Sequence, residues 1–388
     1  MIRFFAVVVL SLVFSGIAAA QHPAPTGSHP VATGSTAPAA PTAPTARKGR
    51  DVTFRNGDIE LRGTVLLPAG SGPFPAVVFL HGSGPQTRNG FERFAQEFAS
   101  LGIASLRYDK RGTGESKGAW WAASLDDLAN DAVAAVNQLK TMKEIDASRI
   151  GFWAVSQGGW VAPLAASKAP GTAFLVVVSG GGATPHESEM FAYRQHFKRM
   201  GLSPADTTAA VEVLDAYFKY LGTGKDREKV VVRLDTIRNG ALAPLAEQLD
   251  KILPSEENRS NWSWVATYDP AADIAKLQCP VLLIYGDRDT DQPAETGAAR
   301  WRAALANGGN DRATIVTFPG ADHTLRVRSA AAGGGGAAAG SGATGHEPPT
   351  SGGHGGSARS PLAAGYTDLQ VGWLWRNVIA SGPAVGLD

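Results

Sequence analysis

The sequence predicts a doubly wound α/β fold, a mainly parallel sheet with helices on both faces and a helical cap inserted between two strands. Three observations carry that expectation. Short apolar runs alternate with segments of helical spacing along most of the chain. Several runs are apolar at every position, as strands covered on both faces are. Residues 184–268 then break the rhythm with helical patterns and no strong buried strand. Repeated βα units place successive strands parallel in one sheet.

Taken in order, Val52–Phe54 and Glu60–Leu66 flank Asn56-Gly57, a hairpin signal. Pro75–Leu80 is a continuous apolar run, and Phe91–Leu101 reads as a helix. Ile103–Tyr108 is the next expected strand. Leu125, Leu128, Ala129, Ala132, Val133, Val136 and Leu139 follow helical spacing behind Ser124, a residue suited to an N-cap. Arg149–Val155 predicts a strand, Trp160–Lys168 a helix and Phe174–Val178 a further strand. In the cap, Ser203-Pro204 opens a helix through Leu221, since proline suits the first helical position. Val281–Tyr285 and Thr314–Phe318 are the last expected strands, and Tyr366–Ile379 closes the chain as a helix.

The 388 residues fit one large domain or two ordinary ones. Lysine and arginine total 36 against 35 acids, so a nucleic-acid partner, which calls for a basic face, is not expected. Apolar residues at 44% supply a sizeable core and exclude a wholly disordered chain. The lone cysteine, Cys279, excludes an intrachain disulfide and a cysteine-rich metal site. It precedes Pro280 at the start of a strand, so it reads as a small packing residue rather than a nucleophile.

Residues 1–20 read as a signal peptide. Arg3 precedes the apolar run Phe4–Phe14, and Ala18-Ala19-Ala20 precedes Gln21. The run is short for a membrane span, so a secreted or periplasmic location without a stable membrane anchor is expected. The residue directly after the cleavage site is Gln21 and not a cysteine, which excludes lipoprotein attachment there. Residues 21–49 form an Ala/Pro/Thr-rich linker, expected to be an extended tether. The core is expected in two parts, 50–183 and 269–380, around the cap at 184–268. A low-complexity insertion at 329–363, mostly Gly, Ala and Ser, is expected in a surface loop, where extra length costs little closure entropy.

The chemistry concentrates in four segments. Arg149–Val155 runs straight into Ser156, then Gln157-Gly158-Gly159, then a helix. That strand–turn–helix context is what a nucleophile elbow needs. The tight turn requires small residues two before and two after the serine, here Ala154 and Gly158. It lifts the hydroxyl out at the carboxyl edge of the sheet, with the Gln157 backbone N–H aimed at the same point. A serine hydroxyl needs a base to become a nucleophile. In this architecture the order is serine, acid, histidine. The loop Gly286–Pro293, after a strand, holds Asp289, the preferred acid, with Asp287 and Asp291 as runners-up. The loop Pro319–His323 follows the last strand and supplies His323 as base. His81-Gly82-Ser83-Gly84-Pro85 follows another strand, and the Ser83 N–H could pair with that of Gln157 as an oxyanion hole. A phosphate-binding reading of this loop fails for want of the P-loop lysine.

Weaker signals surround these. Trp120, Trp121, Trp262, Trp264 and Tyr268 are candidates to line a substrate pocket, with Trp262 and Trp264 preferred for their place near the cap exit. Aromatics more often serve packing. Glu187 and Glu189 could hold a substrate amine, although acids at a helix start also suit the helix dipole. Two glycosylation sequons begin at Asn258 and Asn261.

The chain resembles the α/β-hydrolase superfamily over roughly Arg50–Ile379. It is similar to the bacterial esterase branch close to serine aminopeptidases and dienelactone hydrolases. The resemblance rests on H-G-S-G at His81–Gly84, Y-D-K-R-G-T-G-E-S at Tyr108–Ser116, A-V-S-Q-G-G at Ala154–Gly159, G-D-R-D at Gly286–Asp289 and G-A-D-H at Gly320–His323. It implies nucleophile Ser156, acid Asp289, base His323, oxyanion donors Ser83 and Gln157, an inserted cap, and neither a cofactor nor a metal. Asp109 and Arg111 match a motif that buttresses its loop. The departures are Ala154, where glycine is common, and the long insertion after His323. The implied function is hydrolysis of carboxylic esters through an acyl-enzyme, the partner being a small ester. The alternatives are a peptidase acting on the N-terminal residues of short peptides, and a non-catalytic binding protein, which would usually have lost a triad member.

Overall fold

The computed structural model describes residues 49–255, 263–327 and 360–380. The signal-peptide segment, residues 21–48 of the linker, Trp262, both sequon asparagines and residues 328–359 lie outside them.

β1 (Arg50–Asn56) and β2 (Ile59–Leu66) form an antiparallel hairpin across Asn56-Gly57, where Gly57 takes φ +55°. β3 (Phe74–Leu80), β4 (Ala104–Tyr108), β5 (Ile145–Val155), β6 (Leu175–Val178), β7 (Val281–Gly286) and β8 (Ala313–Phe318) complete one sheet of order β1-β2-β4-β3-β5-β6-β7-β8. β2 runs against its neighbours, and the pairings from β4 to β8 are parallel. The chain therefore has the doubly wound, mainly parallel sheet that its alternation of elements predicts, and with it the α/β-hydrolase fold that its resemblance implies. β5 starts four residues earlier than its apolar pattern suggests, because Ile145 pairs with Phe74 across a register shift.

Every residue of β3 is buried. Ala76, Val78 and Leu80 face one core, and Val77 and Phe79 face the other. On the first side lie α2 (Leu125–Lys140) and α3 (Gly158–Lys168); on the second lie α1 (Glu92–Ser100) and a C-terminal helix (Tyr366–Leu374). Phe79 meets the rings of Phe91, Phe98 and Trp153 at centroid distances of 5.2, 5.4 and 5.6 Å. Fully burying such a side chain contributes roughly 2–3 kcal/mol. At the start of α2 the Ser124 hydroxyl accepts from the Asp127 N–H at 3.1 Å, and the Asp127 carboxylate accepts from the Ser124 N–H at 2.9 Å. This reciprocal cap satisfies two orphan donors of the first turn.

Between β6 and β7 the described residues form helices and no strand. They are α4 (Pro185–Arg199), α5 (Pro204–Thr223), α6 (Arg227–Thr236), α7 (Ala243–Ile252) and the one-turn helices α8 (Trp264–Thr267) and α9 (Ala271–Ile274). α5 starts at Pro204 with Ser203 as N-cap, as its sequence predicts. The apolar faces of this layer join the core on the α2–α3 side. After β7 the chain forms α10 (Ala294–Asn307), and the C-terminal helix is α11. Among the described residues, no helix is long and apolar enough to cross a membrane.

Strand order reverses at β3, whose neighbours are β4 and β5. Loops leaving the carboxyl ends of β3 and β5 thus lie side by side, which is where open α/β sheets place their sites.

Candidate active site

Ser156 directly follows β5 and takes φ +54°. A non-glycine residue held there costs about 1–3 kcal/mol and persists only where its surroundings fix it. The fixing is visible. The Ser156 N–H donates to Val178 O at 3.0 Å, and Ser156 O accepts from the Gly159 N–H at 2.8 Å. A Cβ at Gly180 would stand 2.2 Å from Ser156 O, and one at Gly158 would stand 2.9 Å from Leu80 O. Ala154 keeps its methyl group beside Gly158 without obstructing the turn. The departure from glycine is thus tolerated.

His323 lies in the loop after β8, and Asp289 in the loop after β7. They are 34 residues apart, yet His323 Nδ1 and Asp289 Oδ2 stand 2.8 Å apart, both residues buried. The other Asp289 oxygen accepts from the backbone N–H groups of Asp291 and Gln292, each at 2.8 Å. Of the two alternative acids, Asp287 accepts from the Gly320 N–H at 2.6 Å and so ties one loop to the other. Burial disfavours the imidazolium of His323. The charge and hydrogen bond of Asp289, then the charges of Asp291 and Asp322, outweigh burial and raise its pKa.

Ligand atoms of Asp289, Asp291 and His323 lie within 4.8 Å of one another. Those atoms include the imidazole–carboxylate pair, so the group is first an acid–base arrangement.

The histidine loop is anchored to Pro361, Leu362 and Ala363, which fall within the expected insertion. Asp322 accepts from the N–H groups of Thr324 and Arg326 at 2.8 and 3.1 Å. Ala321 bridges to Val327, and Arg326 bridges to Leu362. The Val327 N–H donates to Pro361 O at 2.9 Å, and the Ala363 N–H to Leu325 O at 2.8 Å. The described residues on either side of positions 328–359 are therefore held together.

Ser156 and His323 line one cavity of about 690 Å³. Phe91, Phe94, Val178, Leu325, Leu362 and Tyr366 give it an apolar wall. Gly82 lines it too, and a Cβ there would be 3.3 Å from the Ser156 Cβ, so the loop after β3 abuts the elbow. Ser83 is exposed at the crown of that loop, and its carbonyl accepts from Gln86 Nε2 at 3.0 Å. Gln157 is buried at the start of α3.

Other candidates fall elsewhere. Trp264 is buried against Trp160, with centroids 6.3 Å apart, and does not line this cavity. Glu187 caps α4 through Thr184 and pairs with Arg300. Cys279 is buried, and burial pushes its thiol up to about 11, away from the thiolate a nucleophile needs. Asp109 accepts from the N–H groups of Arg88 and Glu115 at 2.9 and 3.0 Å. Arg111 clamps Asp131 through two bonds of 2.7 Å. Both act as struts.

The residue between them was not anticipated. Lys110 is buried, and its ammonium donates to Gly82 O at 2.7 Å, Gly84 O at 3.2 Å and Gln157 Oε1 at 2.7 Å. The available signal was a lysine inside a loop motif directly after a buried strand.

Residues 77–332 match the model of the alpha/beta hydrolase family, well over half of the chain. The chain is 29% identical over 288 residues to Esterase EstD of Thermotoga maritima, covering 71% of this chain and 60% of that protein. It thus spans about three fifths of that relative's length. It is 25% identical over 257 residues to the quorum-quenching protein AidA of Acinetobacter baumannii, covering 63% of this chain and 80% of AidA. Among solved structures, a Pyrococcus furiosus esterase aligns with TM-score 0.46 at 17% identity, over 71% of this chain and 83% of that one. An acylaminoacyl peptidase of Pyrococcus horikoshii aligns with TM-score 0.44 at 16% identity, over 72% of this chain and 38% of that one.

Proposed function

The chain belongs to the alpha/beta hydrolase family, and from that premise we propose that it hydrolyses carboxylic esters through a Ser156–His323–Asp289 triad. The observation that carries the reading is the strained Ser156 opening into the same cavity as an Asp289-bonded His323. The likeness to Esterase EstD supports it.

In this mechanism His323 Nε2 takes the proton of Ser156 as the hydroxyl oxygen adds to the ester carbonyl carbon. Asp289 holds the proton on Nδ1 and stabilises the imidazolium that forms. The carbonyl oxygen becomes an oxyanion, received by the backbone N–H groups of Gln157 and Ser83. The intermediate collapses, His323 returns the proton to the leaving alkoxide, and an acyl-Ser156 ester remains. Water, deprotonated by His323, then adds to that ester and releases the acid and free Ser156. The apolar wall of the cavity favours an uncharged acyl or alkyl group. Export as a secreted or periplasmic protein, cleaved before Gln21, is part of the same proposal.

The peptidase alternative needs an anionic anchor for a substrate amine. Glu187 is committed to its cap and to Arg300. Burial, then the charge of Asp291, raises Glu189 to about 7. The direction of that shift, toward the neutral acid, weakens Glu189 as an anionic anchor. A panel of 4-nitrophenyl acyl esters and aminoacyl 4-nitroanilides distinguishes the two. Esters turning over at least a hundredfold faster than amides supports the proposal, and the reverse order overturns it.

A further inference from the structure

We propose that Lys110 is a positioning residue that sets both oxyanion donors, by fastening the loop after β3 to the elbow after β5. The inference rests on the hydrolytic reading above and assigns a role to a residue that the reading does not use.

A buried cation is costly unless hydrogen bonds replace its water. A structural lysine would normally meet that cost with a carboxylate. Among the described residues Lys110 has no ion pair, and the nearby acid, Asp131, is clamped by Arg111. Its three bonds go instead to two backbone carbonyls and one side-chain amide. Three acceptors match the three donors of an ammonium, whereas a neutral amine has only two. Burial pulls the amine down to about 7, with Asp131 opposing, a perturbation of the kind that marks functional sites. The neighbouring His81, packed edge-on to Tyr108 and also buried, falls to about 3 through burial and then the Lys110 charge. His81 is therefore neutral and adds no competing positive charge.

Geometry supplies the link to catalysis. A trans peptide points its C=O and the next N–H in opposite directions. Holding the Gly82 carbonyl on Lys110 therefore turns the Ser83 N–H away from the ammonium. Accepting from a cation also polarises that peptide, which strengthens its N–H as a donor. On the other side, the amide of Gln157 is gripped at 2.7 Å, which steadies the residue whose backbone N–H is the second donor. One cation thus spans the two chain segments that must keep a fixed separation while charge develops between them.

The test is Lys110→Met in the mature chain, assayed on a 4-nitrophenyl ester and with phenylboronic acid, whose tetrahedral serine adduct mimics the oxyanion. Losing one oxyanion donor lowers kcat by about a hundredfold or more. The expected result is a fall in kcat on that order, KM within threefold of wild type, and a parallel loss of boronate affinity. A folded Lys110→Met protein with kcat within threefold of wild type overturns the inference. So does a fall in kcat with boronate affinity unchanged. If Lys110→Met does not fold, Gln157→Ala keeps the backbone N–H and removes one grip. About a tenfold fall in kcat at constant KM then supports the proposal, and unchanged kcat overturns it. A Ser156→Ala control separates the two levels. Turnover surviving in that variant sinks the hydrolytic reading itself, whereas an inactive Ser156→Ala beside a fully active Lys110→Met sinks only the role of Lys110.

Discussion

The two halves of the site are held by different physics. Around Ser156, two backbone hydrogen bonds act together with steric confinement. Glycines stand where a Cβ would strike a carbonyl, and Ser156 itself sits in a left-handed conformation. Around His323, position is set by hydrogen bonds. Asp289 and Asp322 each accept backbone N–H groups of their own loop, and Asp287 accepts the Gly320 N–H and so ties the two loops together. Steric confinement is stiff and all-or-none, while a hydrogen-bonded loop can lose one bond and keep its shape. The Ser156 half should therefore fail by misfolding, and the His323 half by losing the proposed chemistry with the fold intact.

The largest effect expected is on the second half. Asp289→Asn keeps the shape and removes the charge, and kcat should fall on the order of ten-thousandfold with Tm nearly unchanged. In the proposed mechanism His323 acts as a base only when neutral, so kcat/KM should rise with pH as it loses its proton. Asp289 holds that pKa up. Its replacement should move the rising limb to lower pH. A pH–rate profile of the residual activity checks the direction.

A smaller free-energy effect, but a global one, is expected on the first half. Gly180→Ala places a methyl carbon 2.2 Å from Ser156 O, against backbone that cannot yield cheaply. Overpacking of this kind costs about 3 kcal/mol. Thermal unfolding should show a clear loss of stability, with activity lost in step. If Gly180→Ala is as stable as wild type, the steric account of the elbow is wrong. If Asp289→Asn unfolds the protein, the contrast between the halves is wrong.

Much of this was legible in the sequence because strand patterns and turn chemistry are local. The apolar run ending at Leu80 marks a strand buried on both faces, and Ser124 and Ser203 announce helix starts by their side-chain acceptors. Ser156 was legible because a strand, a small-residue turn and a helix follow one another without a gap. What escaped depends on distant partners. α10 carries its buried residues as Ala298, Trp301, Ala304 and Leu305, a stripe too small and alanine-rich to stand out. Trp264 offered a bulky ring near the cap exit, yet ring size alone does not tell packing from recognition, and it packs on Trp160. Lys110 sat between Asp109 and Arg111 in a motif read as a strut. Its meaning comes from Gly82, Gly84 and Gln157, two of them 28 and 26 residues back along the chain and the third 47 residues on.

The central claim, that Ser156 is an activated nucleophile, is tested most directly by labelling the protein with a fluorophosphonate and mapping the modified peptide by mass spectrometry. The account predicts a single label on Ser156, gained at a rate that collapses in His323→Ala. A label on any other residue, or a Ser156 left unmodified in folded wild-type protein, would contradict it.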